Sequence, residues 1–192
     1  QVGGLIGVSQ ASSTIRNSFS TGNVTGSADN TEAGGIAGRN NGSIILNSQS
    51  SAAVSGSSYL GGITGLNSNQ ALISNSFSEG NITASNHYAG GLVGANNSSE
   101  INKSGSTGTV SGTERVGGLT GQNEGSEIND CYSRGSVQGS GNYTGGLIGF
   151  DMNSVISNCY STGSVTGANY VGGLIGISNS TVFNSYWDTE TS

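Results

Sequence analysis

The sequence predicts an all-β chain wound as a parallel β-solenoid, and three observations lead there. A glycine pair, an apolar residue, one more residue and a third glycine recur seven times, starting at Gly3, Gly34, Gly61, Gly90, Gly117, Gly145 and Gly172. Successive second glycines lie 31, 27, 29, 27, 28 and 27 residues apart. Self-similarity at a period of about 28 residues marks units that stack on one another and are not stable singly. Third, the apolar residues fall in short runs bounded by Gly, Asn and Ser, the punctuation of strands, and no Pro interrupts a ladder.

Three slots per repeat carry the apolar signal. The first, inside the glycine block, is Leu5, Ile36, Ile63, Leu92, Leu119, Leu147 and Leu174. The second is Ile15, Ile45, Ile73, Ile101, Ile128, Ile156 and Val182; the third is Val24, Val54, Ile82, Val110, Val137 and Val165. Each slot predicts one inward-facing strand position, hence three strands per coil. Six to seven coils spaced by about 4.8 Å predict a rod on the order of 30 Å long. The glycines should permit positive φ at corners and let neighbouring backbones approach. Two polar columns fit corners where Asn adopts left-handed geometry: Asn40, Asn67, Asn96, Asn123 and Asp151, and Asn17, Asn47, Asn75, Lys103, Asp130, Asn158 and Asn184.

Composition excludes several classes of function. Charged residues are 8% of the chain and the net charge is -6, with five scattered basic residues, so no footprint for a nucleic acid exists. No apolar run approaches the roughly 18 residues that span a bilayer, and membrane insertion is not expected. His87 is the single histidine and Lys103 the single lysine, which leaves no base for a catalytic triad, and no metal or cofactor motif occurs. Glu100 and Glu127 fall one repeat apart in one slot and read either as paired carboxylates or as solvated surface. The chain is expected to be no enzyme.

One repeat carries a family resemblance: Ile156-Ser157-Asn158-Cys159-Tyr160-Ser161-Thr162-Gly163-Ser164-Val165-Thr166-Gly167, Ala168-Asn169-Tyr170, then Val171-Gly172-Gly173-Leu174-Ile175-Gly176. It resembles the GLUG repeat of bacterial and archaeal surface proteins, a group that includes filamentous-haemagglutinin-type adhesins and IgA-specific metallopeptidases. The resemblance implies an extracellular or cell-surface location and an adhesin-like role. The peptidases' HExxH zinc motif is missing from this sequence, so their activity does not carry over.

Outward columns carry whatever recognition the chain has. The slot two residues before each glycine pair reads Glu32, Tyr59, Tyr88, Arg115, Tyr143 and Tyr170. Such a strip fits either a glycan-binding surface, since tyrosine faces stack on sugars, or an aromatic ladder between coils. A second aromatic column, Phe19, Phe77, Tyr132, Tyr160 and Tyr186, is interrupted by Gln49 and Gly105 and reads as packing. Short polar residues beside the third apolar slot form two flat rows, as in ice-binding solenoids, broken by Ala53 and Gln138. Cys131 and Cys159 share one slot in consecutive repeats, where a cross-coil disulfide and two free thiols are both compatible with the spacing.

Trp187, with Asp188 and Glu190, predicts a C-terminal cap over 183-192, whereas the first coil lacks one and could associate head-to-tail with another molecule. The expectation for residues 1-192 is one solenoid domain belonging to a larger surface protein. Its expected role is a non-catalytic adhesin or stalk segment. The alternatives are a carbohydrate-binding module, an ice-binding surface and a self-assembling filament subunit. Partners would be a host or environmental glycan or a surface protein.

Overall fold

The structure, a computed structural model, describes residues 1–188. The first coil holds five strands, β1 (Val2–Gly3), β2 (Ile6–Ser9), β3 (Thr14–Arg16), β4 (Phe19–Ser20) and β5 (Asn23–Thr25). Each founds a parallel sheet to which later coils add one strand apiece, giving four seven-stranded sheets and one of six strands, on β5. The parallel β-solenoid of about seven turns is therefore as the sequence predicts. The count of three strands per coil is corrected to five. The first slot, expected in a strand, lies in the bend between β1 and β2. β4 and its successors span two residues with an inward Ser in most coils, and β1 and its successors span two to four, too short to show a period although they bury Leu60 and Val116.

Register is kept through every insertion. The first glycines pair in the order Gly3, Gly34, Gly61, Gly90, Gly117, Gly145, Gly172, although the first step is 31 residues and the next 27. Of the four extra residues, three are absorbed in the turn before Ala33–Gly34 and one in the turn between β2 and β3, all outside the ladders. A slip by one residue would turn each inward Ile to solvent, which is what fixes the register.

Two apolar cores run along the rod. One stacks the first two slots, with Ile36, Ile45, Ile63, Ile73, Leu92, Ile101, Leu119 and Ile128 buried in it. The other stacks the third slot on a column the sequence reading overlooked, Ala33, Leu60, Ala89 and Val116, just before each glycine pair. Burying each Ile or Leu is worth about 1.5–3 kcal/mol, so stability is spread over the middle coils and falls at the two ends, where Leu5 and Val182 are exposed.

Between the cores the coil is pinched by serine against glycine. A Cβ on Gly62 would land on Ser78 Oγ and lie 2.5 Å from the Gly91 carbonyl oxygen; Gly35, Gly91, Gly118 and Gly146 face Ser50, Ser106, Ser133 and Ser161 in the same way. The glycine block thus serves close approach alone. Its expected second role, positive φ, is a misassignment: among the described residues the positive-φ glycines are Gly22, Gly42, Gly56 and Gly125, none of them in the block. Most corners are turned by non-glycine residues instead. In the last coil Trp187 stands in the serine position, and its ring lies where a Gly173 side chain would be. The expected cap over 183-192 lies partly outside the described residues; of those described, Phe183 and Tyr186 are exposed.

Candidate functional site

The first asparagine column is buried, and its bonds run from one side chain to the next. Asn40 Nδ2 donates to Asn67 Oδ1 at 2.7 Å, Asn67 to Asn96 at 2.8 Å, Asn96 to Asn123 at 2.8 Å, and Asn123 to Asp151 Oδ1 at 2.9 Å. Asp151 ends the run as a pure acceptor and also takes the Ser178 hydroxyl at 2.7 Å. These residues lie in strands such as Thr64–Ser68 and Val93–Asn97, so the left-handed corner expected for them is replaced by a one-way amide ladder. Chemistry here is closed to solvent: four amides and a carboxylate satisfy one another. The second column does adopt left-handed geometry, with φ of 50° at Asn17, 48° at Asn75 and 53° at Asn158. Its exposed amides bond in the reverse direction, Asn75 donating to Asn47 at 2.7 Å.

The tyrosine strip is a half-buried ladder. Tyr59, Tyr88, Arg115, Tyr143 and Tyr170 all have left-handed φ, between 52° and 65°. A bulky residue pays about 1–2 kcal/mol for that conformation, and stacking at the coil spacing offsets it. Tyr59 and Tyr88 stack with centroids 4.3 Å apart, and Tyr143 and Tyr170 with centroids 5.2 Å apart. Arg115 bridges the two pairs: its guanidinium lies 5.0 Å from the Tyr88 ring and 4.6 Å from the Phe150 ring, and it donates to Tyr88 Oη at 2.9 Å and to Gln122. Glu32 begins the column and forms a bidentate ion pair with Arg39, which holds the guanidinium charged beyond its ordinary range. Burial, with Tyr88 alongside, pushes the Tyr59 phenol up.

Sequence reading missed the facing column Arg39, Leu66, Ala95, Gln122, Phe150 and Ile177. These residues pair in register and immediately follow each third glycine, which was the available signal. Most tyrosine faces in the strip are covered by a neighbour. What the arrangement does chemically is bind coil to coil.

The second aromatic column is less broken than its sequence suggests. Where Gly105 stands, Tyr132 leans across the gap, its Cζ 2.5 Å from where a Cβ would be, and stacks on Phe77 with centroids 6.2 Å apart. Tyr132, Tyr160 and Tyr186 continue the stack at 5.6 and 5.8 Å. Arg134 lies 4.8 Å from the Tyr132 ring and donates to Tyr160 Oη at 2.6 Å. The break at Gln49 remains open.

The other expected residues are placed as follows. Cys131 and Cys159 are free, buried thiols; each takes the serine role in its column, donating to the carbonyl two residues back at 3.1 and 3.0 Å, and burial pushes the Cys131 thiol up. Glu100 and Glu127 do stand opposite each other, and Glu100 accepts from Asn102 at 2.6 Å. His87 begins the strand His87–Gly90, with Nδ1 3.5 Å from Glu114 Oε2. Among the described residues no three His, Cys, Asp or Glu side chains converge as a metal site, and no helix is long and apolar enough to cross a membrane.

The model of the family described as the GLUG motif matches residues 1–25, 56–83, 112–138 and 140–166, more than half of the chain. The chain belongs to the GLUG-motif family. Its unmatched segments stack in the same register as the GLUG matches, and two of them contain Gln49 and Gly105, where the aromatic column departs from its pattern. The GLUG coils are also similar to a solved structure described as "Crystal structure of a putative immunoglobulin A1 protease from Bacteroides ovatus". The likeness has a TM-score of 0.60 at 22% identity and covers 91% of this chain and 57% of that one, which establishes a shared fold. The chain thus spans little more than half the length of that relative. No curated protein matches the sequence.

Proposed function

We propose that this GLUG-repeat domain is a non-catalytic stalk or adhesin segment of a cell-surface or secreted protein. The observation that carries the reading is the consumption of reactive and aromatic side chains by coil-to-coil contacts. The amide ladder is buried, the tyrosines stack on one another, and Arg39 and Arg115 are spent on Glu32, Gln122 and neighbouring rings. A rod built this way holds whatever it joins at a fixed separation. The solved relative's description as directed at an immunoglobulin, a target found outside cells, supports the location. It also supports the view that such coils accompany a catalytic unit elsewhere in a longer chain.

Two measurements test the proposal. Incubated with immunoglobulin A1 and with generic peptide substrates, the purified domain should leave them intact. Displayed on a cell with a distal epitope tag, it should expose the tag further as coils are duplicated. Cleavage of either substrate, or tag exposure independent of coil number, contradicts the reading.

A further inference from the structure

The open break in the second aromatic column is a groove of about 130 Å³, lined by Phe19, Gln49, Phe77, Glu79, Thr107 and Tyr132 along with Ser50 and Ser78. Gln49 pairs in register with Phe19 on one side and Phe77 on the other, so two rings flank a position that carries none. Phe19 is 59% exposed and, unlike the tyrosines of the strip, has no ring stacked on it among the described residues. Gln49, Glu79 and Thr107 are exposed, and among the described residues their side chains make no hydrogen bond. Along the tyrosine strip, aromatic faces and polar groups are mostly spent on each other. In this groove both are free.

We propose that this groove binds a saccharide, one pyranose ring of which sits between Phe19 and Phe77. A pyranose offers an apolar C–H face and a polar edge, which is the pairing of surfaces that the groove presents. Phe77, backed by Tyr132 at 6.2 Å, is the platform for one ring. Phe19 stands two coils away, about 9.6 Å at the usual strand spacing, which leaves room for one pyranose ring between the two aromatics. The Gln49 amide, Glu79 carboxylate and Thr107 hydroxyl reach the polar edge, and an amide and a carboxylate together suit vicinal hydroxyls, which both donate and accept. The groove is smaller than the 300–1,000 Å³ or so of sites that engulf a ligand, so it takes a sugar face-on at the surface and holds it weakly. The proposal goes beyond the stalk reading and can fail without it. It also moves saccharide recognition from the tyrosine strip, whose ring faces are mostly covered, to the place where the repeat pattern is interrupted.

The test is a glycan array probed with the whole chain, followed by titration of the hits, with three variants beside the wild type. Phe19→Ala removes an exposed ring from the first coil and should weaken binding at least tenfold. Gln49→Phe completes the ladder and fills the groove; it should abolish binding while raising the melting temperature, an outcome that unfolding cannot mimic. Tyr143→Ala, in the tyrosine strip, should leave binding unchanged. No retained glycan, or binding indifferent to Gln49→Phe, overturns the proposal. So does binding lost in Tyr143→Ala at full fold, or preference for a free aromatic ligand over every sugar.

Discussion

Replacing Asn67 by Ala cuts the buried amide ladder at its middle. The substitution removes the bond to Asn96 Oδ1 at 2.8 Å and the bond from Asn40 Nδ2 at 2.7 Å. Asn40 Nδ2 retains the Ser43 carbonyl at 3.1 Å, whereas Asn96 Oδ1 loses its donor in a site closed to water. An orphaned buried acceptor costs about 1–3 kcal/mol, and the second lost bond and the hole left by the amide add about 1–2 kcal/mol. The sum, about 2–5 kcal/mol, is a large part of the 5–15 kcal/mol or so by which domains are stable.

Asn75→Ala is the control, in the same coil and at the same 2.7 Å bond length but exposed. There water replaces the lost partner, and the cost reduces to forcing Ala into left-handed φ, about 1 kcal/mol. Urea unfolding followed by circular dichroism reads the whole rod, whereas the fluorescence of Trp187 would report its last coil alone. Equal losses for the two variants, or a loss below about 1 kcal/mol at Asn67, would refute the claim that burial decides the ladder's worth.

Three further outcomes follow from the packing. Gly62→Ala places a methyl on Ser78 Oγ and 2.5 Å from the Gly91 oxygen, and should cost more than about 2 kcal/mol, part of it recovered by adding Ser78→Gly; Gly7→Ala, whose nearest atom is 3.6 Å away, should be far milder in the same melts. The Tyr59 phenol is held above its ordinary value in the fold, so the unfolded chain ionises first; its contribution to stability is complete below about pH 10 and is lost as pH rises beyond that. Melting curves across that range should slope down, and Tyr59→Phe should flatten them. Cys131 and Cys159 should react with a thiol reagent slowly in the native state and at once in urea; fast native labelling would show the coils to be open there.

The fold was legible because the core is written in few letters. Each Leu, Ile and Val of the three slots in the middle coils lies inside, from Ile36 to Ile156. The two-residue strands were not legible, because an inward Ser such as Ser78 carries no hydrophobic signal and a lone Leu60 beside Gly61 is too short a run to show a period. Nor was the buried fate of Asn67: an amide in a strand and an amide at a corner look alike in sequence, and only the three-dimensional register distinguishes Asn67, with its neighbouring amides above and below, from Asn75 in solvent.

The tyrosine strip was read correctly as a column. Its two functions could not be separated without ring positions, and the rings at 4.3 and 5.2 Å favour the ladder. The gap at Gln49 was visible as a substitution, but the neighbouring Gly105 looked equivalent to it. Only the lean of Tyr132 closes one gap and leaves the other.

The ladders and the groove alike require side chains one repeat apart to be stacked in register. Spin labels test this directly when placed in pairs on the outer row that runs Thr25, Ser55, Thr83, Ser111, Gln138, Thr166, with both cysteines changed to serine. Thr25 with Ser111, three coils apart, should give a separation near 14 Å, and Thr25 with Thr166, five coils apart, one near 24 Å, in steps of about 4.8 Å per coil. Separations that fail to grow linearly with coil number would contradict the stacked columns, and with them the roles assigned to the ladders and to the groove.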